Sequence, residues 1–480
     1  MKKTMMTFIL SMLLFSSFAK ESGFYALFSP HQGDEAFNTI YEKIENAKEY
    51  VSLTIYSWSD KKIADAIKVA LTNNAKVRVV LHRPLYKKSR VKEMVREIEL
   101  LGAQVKISNQ NMHEKFLIVD DKELMNSSAN LSTGARTKYS ENFIFHNNKT
   151  DQGVDLINEF KREFAILFNS AKDIFTMGEA TASSLPIENY QHDVNEDEST
   201  LYSSSMNFEL NDFTSSSAAY KQGRYLRMVR IKEGKEQIWT VRDRLIEAIN
   251  KAQRNIYVNL NHLNIEEIAI ALVEASKRGV NVKLVVDNQE YKTRITAKEK
   301  TPLFVSLWKK IPENAKKDAP VRVKFYSHAP SPRFWFLNHH KTLLIDYDEN
   351  DMKDTILISG SYNISKNAEH RQYDNLVFYQ GETHKLLHTQ FKAEFEQLWS
   401  LNRDENDQPD SELFKKLYTP NDEGMLYVHS KEPISLKWKE VKSVRSKVSK
   451  IAKGIYYKAF KNRNCYLFNT ITDQYTACPN

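Results

Sequence analysis

Two cysteines in 480 residues, Cys465 and Cys478, are too few to staple this chain, and both lie in its C-terminal tail. With no histidine beside them they offer too few ligands for a structural metal site. In an oxidising compartment they are left one use, a small disulfide loop between them. Long apolar runs are equally scarce. Only the extreme N-terminus has one, and Phe8 to Phe15 is too short to span a bilayer. Lys2 and Lys3 precede it and Ser17-Phe-Ala19 follow it, the three regions of a secretory signal peptide. Residues 1–19 are therefore expected to be removed, leaving a secreted or periplasmic protein whose formal charge falls from +8 to +6 with the two lysines. No cluster of carboxylates and histidines has metal-ligand spacing, so neither a metal nor another cofactor is expected.

What is present is enough for two cores. Hydrophobic residues make up 41% of the chain and charged residues 27%. The basic excess favours anionic partners: phospholipid surfaces, nucleic acid or phosphorylated small molecules. It does not choose among them.

The chain contains an internal repeat. The segment Ile40 to Ile44, Ala47, Tyr50 to Tyr56, Ile63 to Ile67 and Val77 to Leu81 recurs as Leu245 to Ile249, Ala252, Asn255 to Leu260, Ile268 to Leu272 and Val282 to Val286. The two align without a gap, Ala47 falling on Ala252. Apolar residues three and four apart predict helices at about 34–48 and 61–72, and alternation predicts strands at about 50–56 and 77–81. Alternating helices and strands imply an α/β sandwich in each copy, with pseudo-twofold symmetry and one site fed by both. Residues 20–176 and 221–405 are taken as the two domains. The Ser-rich, acidic stretch 177–220 reads as a linker or long surface loop. Beyond lies a basic appendage, 406–480. Within it Val441, Val444, Val448, Ile451 and Ile455 recur at helical spacing among lysines and arginines, a pattern suited to an anionic membrane, a phosphate backbone or packing on its own protein.

Each copy carries one more matched element. His113-Glu-Lys115 leads to Asp120, and His339-His-Lys341 leads to Asp346, each in the form H-x-K-x4-D on a strand-like run. Strand alternation puts His and Lys on one face, and His340 on the other, in a packing role. Ser127-Ser-Ala-Asn130 follows in the first copy and Gly360-Ser-Tyr-Asn363 in the second, then Glu141-Asn142 and Asp374-Asn375. Ser127 in place of Gly360 deprives the first copy of a residue that accepts positive φ easily.

From about residue 24 to 400 the sequence resembles the phospholipase D superfamily. That resemblance implies two tandem, pseudo-symmetric α/β sandwich domains, each a mixed sheet flanked by helices, with one active site at their interface. It also implies a metal-independent phosphodiesterase. His113 is the expected nucleophile and His339 the expected general acid, the reverse assignment being allowed by symmetry. Lys115, Lys341, Asn130 and Asn363 would hold the phosphoryl oxygens, assisted by Ser128 and Ser361. Glu141 and Asp374 are placed to orient an imidazole; Asp120 and Asp346 are expected as structural ion-pair partners. Because both motifs lie in one chain, a monomer with no obligate protein partner is expected. A phospholipid at a membrane surface is the favoured substrate, with a nuclease as the alternative and a non-catalytic phosphate- or membrane-binding protein as the third reading.

Overall fold

The structure is a computed structural model describing residues 23–173, 185–187, 199–215, 223–287, 321–326 and 337–401, with four short tail strands at 434–437, 456–461, 464–469 and 474–477. The signal peptide, most of the basic tail and Cys478 lie outside the described residues. Two compact units make up the chain: residues 1–245 with 340–392, and residues 246–339 with 393–480.

The first unit opens on β1 (Phe24–Ser29), α1 (Gly33–Glu45), β2 (Tyr50–Ile55), α2 (Lys61–Thr72), β3 (Lys76–Leu81), α3 (Ser89–Leu100) and β4 (Gln104–Ile107). β2, β3 and β4 pair in parallel, which requires crossovers, and α2 and α3 supply them. The expected helices and strands of this stretch are thus present. Each helix puts an apolar stripe on the sheet: Ile63, Ala64, Ala66, Ile67 and Ala70 of α2 are all buried, and Asp60 caps its first turn by accepting from the Lys62 N–H. The chain goes on through β5 (Asn111–Met112), β6 (Phe116–Val119), β7 (Glu123–Ser127), α4 (Thr133–Thr137), β8 (Glu141–Asn147), α5 (Asp151–Ser170) and β9 (Lys172–Asp173). β6, β7, β8 and β1 form an antiparallel run beside β2, completing a mixed eight-stranded sheet in the order β1-β8-β7-β6-β2-β3-β4-β9.

Residues 199–215, expected to be linker, are largely strand. β10 (Ser199–Ser203) pairs antiparallel with Asn375–Gln380, as β1 pairs with β8. It is therefore the second copy's counterpart of β1, and that copy begins before residue 221. Its serines hid it, because they satisfy a buried edge by hydrogen bonding rather than by apolar surface. β11 (Phe208–Ser215) and β12 (Gly223–Arg230) form a hairpin, and β13 (Lys232–Glu233) a short pair with β14 (Glu236–Gln237). α6 (Thr240–Lys251) then runs into the second unit.

The second unit holds β15 (Asn255–Leu260), α7 (Glu266–Lys277), β16 (Asn281–Asp287) and β17 (Val321–Tyr326), three parallel strands matching β2, β3 and β4. Back in the first unit, β18 (Lys341–Ile345), β19 (Ile356–Gly360), α8 (Lys366–His370), β20 (Gln372–Tyr373) and β21 (Asn375–Gln380) repeat the antiparallel half. α9 (Lys385–Leu401) closes the repeat. In the tail, β22 (Ile434–Lys437), β23 (Tyr456–Lys461), β24 (Asn464–Asn469) and β25 (Gln474–Ala477) form a small sheet, while Val441 to Ile455, expected at helical spacing, lie outside the described residues.

Among the described residues Asp120 bonds backbone donors and makes no close ion pair, contrary to expectation. It stands at φ +54°, and its carboxylate accepts from the backbone N–H groups of Lys48, Glu49 and Tyr50 at 2.7, 2.8 and 2.8 Å. It thus pins the start of β2 to the end of β6. Asp346 repeats the left-handed turn, at φ +52°.

Candidate active site

Neither His-x-Lys motif lies within a strand. His113, Glu114 and Lys115 form the link between β5 and β6, and Lys341 opens β18. The first motif is positioned by a two-residue parallel pairing of β5 with β20, continued by the His113 N–H donating to the Tyr373 carbonyl at 2.8 Å. That pairing joins the repeats: a strand of the first copy is held by a strand of the second. It sets His113 beside Asp374, and the ring Nδ1 donates to Asp374 Oδ1 at 2.7 Å. The tautomer follows, since a carboxylate accepts from Nδ1–H and leaves the Nε2 lone pair free.

The two carboxylates are held alike. Ser361 donates to Asp374 at 2.9 Å and accepts from the Asn375 N–H at 3.0 Å; Ser128 donates to Glu141 at 2.8 Å and accepts from the Asn142 N–H at 3.0 Å. The serine protons are committed to carboxylates, so these side chains support the orienting groups instead of binding phosphate as expected. Asn130 and Asn363 each have a buried side-chain carbonyl that no donor reaches. Ser132 and Ser365 cap the short helices α4 and α8 that follow them, fixing the chain beyond each asparagine.

His340 does more than pack. Its ring bonds Asn142 at 3.0 Å and Ser140 at 3.1 Å, a second polar tie between the copies. Gly360 is needed for a reason other than positive φ: a Cβ there would stand 2.4 Å from the Asn375 carbonyl oxygen. The demand is close approach of β19 to β21, not an unusual turn. His339 is the residue at which the second unit hands the chain back to the first, and it is 8% exposed.

Burial sets the electrostatics. It pushes His113 down to about 4 against the pull of Asp374, so the ring is neutral at pH 7. Burial also lowers Lys115 to about 7, Asp374 opposing and Lys341 assisting by repulsion. Glu141 is pushed up to about 8 by burial, against Lys341, the Ser128 bond and Lys115. Two buried lysines near a neutral imidazole suit an anionic ligand, which would favour the charged form of Lys115.

Two residues beside His113 escaped the sequence reading. Tyr56 meets the His113 ring edge-on at 4.4 Å, and the Lys115 ammonium lies 4.8 Å from the centre of the same phenol ring. The His82 ring lies tilted against Tyr56, centroids 4.5 Å apart, and is lowered to about 4 by burial and by His113 and Lys115. Both follow the ends of parallel strands, where ligands of α/β sheets commonly sit; that position was the available signal.

Among known proteins, a phospholipase D from Rickettsia prowazekii (strain Madrid E) is 28% identical over 141 residues, covering 28% of this chain and 65% of that protein. A mitochondrial cardiolipin hydrolase from Danio rerio is 25% identical over 145 residues, 30% of this chain and 61% of that one. The chain thus spans less than two thirds of the length of these curated relatives. The crystal structure of phosphatidylserine synthase from Haemophilus influenzae Rd KW20 shares the fold, with a TM-score of 0.54 at 11% identity over 79% of this chain and 87% of that one. The model of the family described as cardiolipin synthase, PLD-like domain, matches residues 40–167 and again 245–399, one match for each repeat. The chain belongs to this phospholipase D-like family.

Proposed function

We propose that the protein is a metal-independent phosphodiesterase that cleaves phospholipid head groups through a phosphohistidine on His113. The observation that carries this reading is the His113 ring, kept neutral by burial and held at Nδ1 by Asp374, with Lys115 at its side. In the first step Nε2 attacks phosphorus. The N–P bond forms as the P–O bond to the leaving alcohol breaks, and His339 gives that oxygen its proton. Water then attacks phosphorus, passing a proton to His339, and the N–P bond breaks to restore His113. Lys115, Lys341, Asn130 and Asn363 hold the non-bridging oxygens while negative charge builds on them.

The phospholipid preference draws support from the two curated relatives, one named for phospholipase D and the other for cardiolipin hydrolysis. Export behind the N-terminal signal peptide would bring the protein to exposed membrane. No helix among the described residues is long and apolar enough to cross one.

The test is a substrate panel in excess EDTA: phosphatidylcholine, phosphatidylethanolamine, cardiolipin, single-stranded and duplex DNA, and RNA. Release of a lipid head group that vanishes in both His113→Ala and His339→Ala is expected. Cleavage of nucleic acid alone would replace the lipid reading with a nuclease. Loss of all activity on chelation would sink the metal-free mechanism, and inactivity on every substrate would leave a binding protein.

A further inference from the structure

Glu114, between His113 and Lys115, is fully buried, and so nearly is Glu163 of α5. The two carboxyls face one another in the interior. By hydrogen-bond geometry neither Glu114 oxygen, nor Oε1 of Glu163, has a donor, although the Asn375 amide lies near enough to Glu114 to oppose its rise. The remaining oxygen, Oε2 of Glu163, accepts from Ser205 at 2.6 Å and from Ser203 at 3.0 Å. Two facing carboxylates with three acceptors unmet would be costly at this depth, and a proton on one of them supplies the missing donor. The hydroxyls decide which one. Both bond Oε2 of Glu163 and stand 2.6 Å from one another, a clasp that favours the charged form of Glu163 and leaves the extra proton to Glu114.

The residue between those serines completes the arrangement. The Ser204 N–H donates to the Asp374 carbonyl at 2.8 Å, and the Ser204 hydroxyl accepts from the Asp374 N–H at 2.9 Å and donates to the Gln372 carbonyl at 2.8 Å. A closed circuit results. It runs from His113 to Asp374, to Ser204, through Ser203 and Ser205 to Glu163, to Glu114, and back to His113 through one peptide bond.

We propose that Glu114 is a protonated positioning residue: it donates to Glu163, and the Ser203–Ser205 clasp uses this bond to hold the His113–Asp374 pair in register. Burial raises Glu114 well above the usual carboxylate range, with Glu163 and then Asp374 adding to it. Burial raises Glu163 too, but the two serines oppose that, as does the bond from Glu114. The other charged groups facing the pair are Lys115 and Arg162. The role of this clasp in turnover rests on the proposed phosphodiesterase reading; the protonation does not.

Infrared spectroscopy of the full-length protein at pH 7 tests the proton directly. Glu141, raised to about 8, contributes a protonated-carboxyl C=O stretch of its own at pH 7, so the double variant Glu141→Gln/Glu114→Gln is compared with Glu141→Gln alone. A stretch present in Glu141→Gln and lost in the double variant is expected; its absence from Glu141→Gln, or its persistence in the double variant, overturns the proposal. Positioning is tested by comparing Glu114→Gln, whose amide still donates, with Glu114→Leu, which does not. At least tenfold higher kcat in the glutamine variant at similar KM is expected, with the His113 Nδ1–H proton resonance kept in glutamine and lost in leucine. Equal kcat and equal resonances overturn it. If Glu114→Leu does not fold, Ser205→Ala takes its place, and a kcat and resonance matching wild type count against the clasp. Should the wild type cleave nothing, the function reading falls, while the stretch and the resonance still decide this one.

Discussion

His113 and Asp374 are separated by 261 positions and joined by a 2.7 Å hydrogen bond. The orienting carboxylate of the first motif comes from the second copy of the repeat, delivered by the pairing of β5 with β20. Asp374→Asn tests what that bond does. The amide has nearly the same shape but can turn its NH2 to the ring, which favours the other tautomer and removes the Nε2 lone pair. A fall in kcat on the order of a thousandfold is expected, by analogy with a triad aspartate. Wild-type rate in this variant would show that the contact is only structural.

The pH profile of kcat/KM follows from two shifted groups. His113 acts deprotonated and is lowered to about 4, so the rate rises with pH through that value. Lys115 acts protonated and is lowered to about 7, so its contribution falls as pH rises past 7. A bound phosphodiester beside Lys115 raises its affinity for the proton, which puts the alkaline limb of kcat above that of kcat/KM. Lys115→Arg should carry the kcat/KM limb upward, because guanidinium does not titrate there. An unmoved limb assigns it to another group.

Gly360→Ala places a methyl 2.4 Å from the Asn375 carbonyl and 2.8 Å from its side-chain oxygen. The strands must part, at a cost of about 1–3 kcal/mol, visible as a lower midpoint in thermal denaturation. Ser127→Gly, the mirror change in the first copy, should cost no more than about 1 kcal/mol. Equal midpoints for the two variants would contradict the close approach.

Asp120→Asn loses a carboxylate that holds three backbone N–H groups, a loss of about 1–3 kcal/mol in urea unfolding at pH 7. Burial opposes ionisation of Asp120, but those donors outweigh it and hold the group below its usual range. The stabilisation is therefore full above the ordinary aspartate value and fades as pH falls through the lower folded one. The gap between wild type and variant should narrow in acid; a constant gap would mean that the charge is irrelevant.

Much of the fold was legible in the chain itself. The aligned copies, their helix and strand periods and the duplicated His-x-Lys motifs depend on local spacing, which the sequence displays directly. Local burial patterns such as that of α2 then follow from an apolar stripe meeting a sheet. The candidate residues His113, Lys115, Lys341, Glu141 and Asp374 were visible because the repeat presents each of them twice in matched form.

Partnership was not legible, because it depends on contacts between distant segments. Nothing near Asp374 in sequence shows that it serves His113, nor that Ser128 and Ser361 spend their protons on carboxylates. β10 was hidden for the same reason: a serine-rich edge looks like linker until β21 is there to pair with it and Glu163 to accept from Ser203. Sequence alone determined the family, the repeat and the candidate site residues. Tertiary structure decided which carboxylate orients which ring, why Gly360 is required and how deeply the charges are buried, since each of these depends on distances across the fold that chain order does not encode.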